Sequence, residues 1–142
     1  MTWKGFLVKG WCALLAQFLR FGVVGATGVV VDSAVLLLAL RLGFGPYGGR
    51  VLSYLVAATT NWALNRAWTF REGGAAMGRA QQLGRFLLVN LVGFVANYGT
   101  YALLLNTVPS VREQPVIGVA AGALVGMAGN FALSRRYVFR PG

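Results

Sequence analysis

The chain has 142 residues, of which 57% are hydrophobic and only 11% charged, giving a mean hydropathy of +0.65. A water-soluble domain carries about 25% charged residues, so polar groups cannot cover this surface and lipid must solvate part of it. The formal charge is +10, with no histidine and a single cysteine, Cys12, so an internal disulfide is excluded and a thiolate or imidazole metal site has no ligands.

Three carboxylates, Asp32, Glu72 and Glu113, are too few and too scattered to form an acid–base pair. Neither an enzyme nor a cofactor is expected. The thirteen lysines and arginines sit at the ends of apolar runs rather than along one face, which is how membrane loops look and argues against nucleic acid.

At the start of the chain, residues 1–17 mix Trp3, Phe6, Leu7, Trp11, Leu14 and Leu15 with Lys4 and Lys9, and predict an amphipathic helix lying on the cytoplasmic leaflet. Gly5 and Gly10 leave a disordered tail as the alternative. No small-residue cleavage site precedes the first long apolar run, so a cleaved signal peptide is not expected.

A bilayer core about 30 Å thick needs roughly 20 helical residues. Residues 21–40, bounded by Arg20 and Arg41, supply a first span. A second runs from 46 or 49 to 65, with Arg50 expected to snorkel to the interface. Residues 86–105, opened by Arg85, form a third, and 116–134 a fourth, with Pro115 at its start and Arg135 and Arg136 at its end.

Positive charge then sets the orientation. Lys4, Lys9, Arg20, Arg66, Arg71, Arg79, Arg85, Arg135, Arg136 and Arg140 fall on one side, against Arg41, Arg50 and Arg112 on the other. Both termini are therefore expected in the cytoplasm, with the protein in the inner membrane.

The two halves repeat. A shift of 65 places Arg20 and Phe21 on Arg85 and Phe86, Gly28 on Gly93, and Asp32 on Asn97. A shift of 69 places residues 61–66 (NWALNR) on 130–135 (NFALSR), and Trp68 and Phe70 on Tyr137 and Phe139. The four extra residues belong to the second outer loop. The expected fold is an all-α integral membrane protein: four transmembrane helices as two parallel-repeat helical hairpins, plus the N-terminal interfacial amphipathic helix. The expected organisation is segment 1–17 and a four-helix membrane domain over 18–140, with repeats at 18–71 and 83–140.

Spacing places residues on faces. Ser53, Ala57, Asn61 and Asn65 recur every fourth position, as do Gly118, Gly122, Gly126, Asn130 and Ser134, and each row lines one side of a helix. Gly118, Gly122 and Gly126 read as helix packing, since small residues let backbones approach closely. Asn61 and Asn130 fit either interhelical hydrogen bonds or a substrate path. Gly25, Gly28 and Asp32, and Asn90, Gly93, Asn97 and Tyr101, form the facing rows, and the four faces are expected to converge on a polar-lined interior.

Asp32 lies mid-span, where a carboxylate costs about 2.5–3.5 kcal/mol on insertion scales, and such residues are kept for a pathway, a relay or an ion pair. No Lys, Arg or His occupies the middle of another span, so an internal salt bridge is not expected. Asn97 is the candidate hydrogen-bond partner, and a protonated, structural Asp32 is the alternative to a functional one. Arg20, Arg66, Arg85 and Arg135 mark the inner span ends. Positive-inside topology with anionic lipid contact explains them, and so does a phosphate ligand, which arginine binds through a planar fork of donors. Trp68, Phe70, Tyr137 and Phe139 read as an interfacial aromatic belt, with sugar stacking or contact with a partner enzyme as the alternative.

The opening RFGVVGATGVVVD and the hairpin endings NWALNRAWTF and NFALSRRYVF resemble the GtrA-like family, which is related to the membrane region of some dolichyl-phosphate mannose synthases. The resemblance covers about residues 18–139. The second copy departs from the N-x3-N-R-x-W-x-F signature at Ser134 and Tyr137, and residues 1–17 lie outside it.

The resemblance implies a role in making cell-surface polysaccharide. One form of it is moving a polyprenyl-phosphate-linked monosaccharide between leaflets, and the other is recruiting the glycosyltransferase that makes it. In the first, Arg20, Arg66, Arg85 and Arg135 would meet the phosphate. Asp32, Asn61, Asn65, Asn97, Asn130 and Ser134 would form the polar path for the sugar. In the second, the bundle only docks the enzyme through its basic face. A homodimer would help either, since four short helices enclose little volume. A third reading, a small proton-coupled drug exporter, fits poorly with the strong charge asymmetry and the hairpin endings.

Overall fold

The computed structural model describes residues 3–71, 73 and 77–139. The expectations placed on the side chains of Lys4, Lys9 and Arg50, and on Glu72 and Arg140, lie outside the described residues. The chain divides into two compact units, residues 1–73 and 74–142. Both are helical, with no strand among the described residues.

In the first unit, α1 (Trp3–Arg41) runs for 39 residues without a break, about 58 Å of helix at 1.5 Å per residue. The separate surface helix expected over 1–17 therefore has no boundary of its own. Its backbone hydrogen bonding continues straight into the apolar run, because neither Gly5 nor Gly10 interrupts the helix.

α1 ends in a Schellman motif. Gly43 takes φ +86°, where a side chain would be strained. The amides of Gly43 and Phe44 return to the carbonyls of Leu40 and Ala39 at 3.2 and 3.0 Å, satisfying groups that the last turn leaves open. Pro46 then opens α2 (Pro46–Leu64) in its first turn, where its missing N–H costs nothing. α2 returns antiparallel to α1: a methyl placed on Gly49 would touch Ala39 and Leu36, both at 3.4 Å, while Gly28 lies against Asn61.

The second unit repeats the plan with α3 (Arg79–Thr107), the short α4 (Pro109–Glu113) and α5 (Pro115–Leu133). α4 occupies the connection where the repeat places the extra residues. Arg112 reaches back from it to the carbonyls of Leu105 and Asn106 at 3.1 and 2.6 Å, so a cation serves the open end of α3.

Both hairpins finish in a π-helical turn, π1 (Asn65–Thr69) and π2 (Ser134–Val138). The amides of Phe70 and Phe139 close them onto the carbonyls of Asn65 and Ser134, each at 2.8 Å. An i→i+5 closure fits one more residue into the turn than an α-helix does. The extra residue rotates the succeeding chain by about 100°, and this brings Phe70 and Phe139 inward. Phe70 packs edge-on to Phe21 and Phe139 edge-on to Phe86, with ring centroids 6.1 Å apart in both. The expected aromatic belt is thus corrected. Phe70 and Phe139 are buried core residues, and only Trp68 and Tyr137 of the four are exposed.

Three helical stretches among the described residues, Gly10–Arg41, Arg79–Thr107 and Ile117–Val138, are long and apolar enough to cross a membrane. Val29, Val30, Leu88, Phe94 and Leu124 stand exposed along them, apolar surface of the kind lipid covers. Thr27, Ser33, Thr60 and Thr100 turn their hydroxyls onto the carbonyls four residues back, at 2.8–3.0 Å. That local bond meets the need of a hydroxyl that has no water to turn to.

Candidate functional site

Within the first hairpin the facing rows meet. The amide of Asn61 lies over Gly28, in the space a Cβ at position 28 would fill. One turn along α1, Asp32 accepts a hydrogen bond from Ser53, Oγ to Oδ1 at 2.7 Å. Ser53 is fully buried and Asp32 half-buried. Spacing places Ser53 on the polar row, yet nothing in the sequence pairs it with Asp32. A hydroxyl donor directed at the carboxylate lowers the cost of keeping it in an apolar hairpin. Gly25, read as part of the same face, points instead into open space.

The second hairpin carries the same contact with different chemistry. Asn130 lies over Gly93 as Asn61 lies over Gly28. Asn97 stands where Asp32 stands, but its partner position is Gly122, whose added methyl would come within 2.6 Å of the Asn97 carbonyl and 2.8 Å of its Oδ1. At Gly126 a methyl would reach the Gly93 carbonyl at 2.9 Å, and at Gly118 it would reach Val111 at 2.9 Å and Tyr101 at 3.1 Å. Backbone therefore meets backbone along this seam, and Gly118, Gly122 and Gly126 are contact positions of α5 on its own hairpin. Asn90 leaves the row by bonding the Phe86 carbonyl one turn back, at 2.8 Å.

Asn65 and Ser134 open the two π-turns and are sealed inside their hairpins, with relative exposures of 2% and 0%. The oxygens Asn61 Oδ1, Asn65 Oδ1, Asn130 Oδ1 and Ser134 Oγ are all buried without a hydrogen-bond partner among the described residues.

The arginines gather at the π-turn ends. In the first hairpin the Arg20 guanidinium stands over the Trp68 ring at 5.8 Å from its centroid, and Arg66 is half-buried in π1. In the second, Arg85 donates to the Tyr137 carbonyl at 3.3 Å, while Arg136 covers the Tyr137 ring at 5.5 Å. Arg135 is exposed. A guanidinium stacked on an aromatic ring holds its edge donors outward. Each hairpin thus sets two of the four predicted arginines on the same end.

Sequence reasoning missed a glutamine pair. Gln82 is fully buried and its Nε2 donates to the Val138 carbonyl at 3.1 Å, while Gln17 donates to the Thr69 carbonyl at the same distance. The shift of 65 that aligns Arg20 with Arg85 also aligns Gln17 with Gln82, so the signal is present in the sequence. It is hidden because Gln17 falls in the segment read as a surface helix, outside the repeat.

Two copies of one helical hairpin, each ending in an arginine-bearing aromatic π-turn, match a known domain over residues 20–139, the GtrA/DPMS transmembrane domain. The chain belongs to this family. It is a multi-pass membrane protein. No curated protein matches the chain. The GtrA/DPMS match begins at Arg20, three residues after Gln17, which donates to the last carbonyl of the first π-turn.

Proposed function

We propose that this GtrA/DPMS protein moves a polyprenyl-phosphate-linked monosaccharide across the inner membrane for cell-surface polysaccharide. The observation that carries the proposal is the pair of arginines at the π-turn end of each hairpin of a GtrA/DPMS domain. α2 serves as a fourth span, since 19 residues of helix reach about 28 Å, close to the thickness of a bilayer core. Both termini and the π-turn ends then face the cytoplasm.

In the first hairpin Arg20 and Arg66 meet the phosphate and half-buried Asp32 and Asn61 the sugar; in the second, Arg85 and Arg135 take the phosphate role and half-buried Asn97 and Asn130 the sugar role. Asn65 and Ser134 are too deeply buried to take part directly. The protein acts as a carrier, with no reaction of its own and no cofactor, as a homodimer beside the glycosyltransferase that supplies the lipid. Reconstitution in proteoliposomes with a fluorescent polyprenyl-phosphate sugar tests this. Arg66→Ala and Asp32→Asn should each slow translocation, and wild-type rates in both would end the proposal.

A specific observation supports a second reading, an anchor that recruits the glycosyltransferase without transport. The asparagines face glycines inside their own hairpins, while Arg71, Arg79, Arg135 and Arg136 are exposed. Co-purification lost on replacing these arginines, with no effect of Asp32→Asn, would favour it.

A further inference from the structure

π1 contains two buried oxygens that nothing among the described residues satisfies. Asn65 Oδ1 and Thr69 Oγ1 belong to the first and last residues of the turn, exposed by only 2% and 4%, and neither has a hydrogen-bond partner there. Thr27, Thr60 and Thr100 bond the carbonyl four residues back. For Thr69 that carbonyl belongs to Asn65 and accepts the Phe70 amide at 2.8 Å, while the Thr69 hydroxyl makes no bond to it. The carbonyl of Thr69 is itself taken by Gln17.

Buried oxygens left this way are costly, and a water molecule is retained where two or more polar atoms can share it. A cation is a poorer occupant. The two oxygens carry no formal charge, and Arg66 belongs to the same turn. We infer that π1 binds one internal water, which donates to Asn65 Oδ1 and accepts from the Thr69 hydroxyl.

The second hairpin supplies the contrast. Ser134 Oγ is equally buried and unpartnered among the described residues, but Val138 occupies the position of Thr69. Ser134 therefore lacks the partner within its own turn that Asn65 has in Thr69.

Water-edited solid-state NMR on the full chain in deuterated-lipid bilayers tests this, with asparagine side chains labelled and the Asn65 signal assigned by its loss in Asn65→Leu. The Asn65 amide should receive magnetisation from water, and Thr69→Val should reduce the transfer by about half or more, since the water loses one of its two partners. Val138→Thr, which places a second hydroxyl in π2, should leave the Asn65 signal unchanged. Three results would each overturn the inference: no transfer to Asn65 in the wild type, undiminished transfer in Thr69→Val, or an Asn65 signal that shifts when sodium is replaced by choline. The last would mark an ion site.

Discussion

Asn61 lies across Gly28, its side-chain amide filling the volume that any Cβ at position 28 would need. The contact recurs at Asn130 and Gly93, so each hairpin closes by fitting an asparagine against a bare backbone. The arrangement brings two helices close while confining an amide within them, a packing mode suited to a membrane, where apolar burial drives little association.

Gly28→Ala should therefore destabilise the first hairpin by about 1–3 kcal/mol, the usual cost of overpacking. Thermal unfolding in detergent measures it. Asn61→Ala should restore much of the loss by vacating the space. Gly25→Ala is the control: nothing lies within 4 Å of its Cβ position, so the change should be neutral or raise stability by up to about 1 kcal/mol.

In the second hairpin the obstacle is backbone. A methyl on Gly122 would meet the Asn97 carbonyl and one on Gly126 the Gly93 carbonyl, and neither can swing aside. Gly122→Ala and Gly126→Ala should each cost about 1–3 kcal/mol with no rescue from shortening a side chain. Disulfide cross-linking between cysteines placed on α3 and α5 should show the helices moved apart.

Gln82→Leu would strip the buried Val138 carbonyl of its donor. The expected loss is about 1–3 kcal/mol, the cost of an unsatisfied buried group. Gln17→Leu should cost less, because its bond to Thr69 is only part-buried. Amide hydrogen exchange should quicken within the π-turn that each glutamine serves.

Asp32 and Ser53 separate stability from transport. Ser53→Ala removes the donor to the Asp32 carboxyl, a hydrogen bond worth about 0.5–1.5 kcal/mol, and should lower the unfolding temperature. Asp32→Asn keeps an oxygen in place to accept from Ser53, so the fold should hold. If the carboxylate contacts the sugar, translocation should nonetheless fall by about ten- to a hundredfold. A normal rate in a stable Asp32→Asn protein would leave this carboxylate without a transport role.

Much of the architecture was legible along the chain. Apolar runs bounded by arginines located the helices, because only lipid can solvate such runs and charge cannot accompany them inward. The shifts of 65 and 69 exposed the repeat, and fourfold spacing put Gly118, Gly122, Gly126, Asn61 and Asn130 on faces. The residue standing opposite a face is not written in spacing. Tertiary structure alone set Ser53 against Asp32, Asn61 against Gly28 and Gln17 against Thr69. It also turned Phe70 and Phe139 from a surface belt into core and sealed Asn65 and Ser134 within their hairpins. For Phe70 and Phe139 the cause is local and physical. A π-turn adds one residue and rotates the chain after it by about 100°, a shift in phase that a 3.6-residue periodicity does not contain.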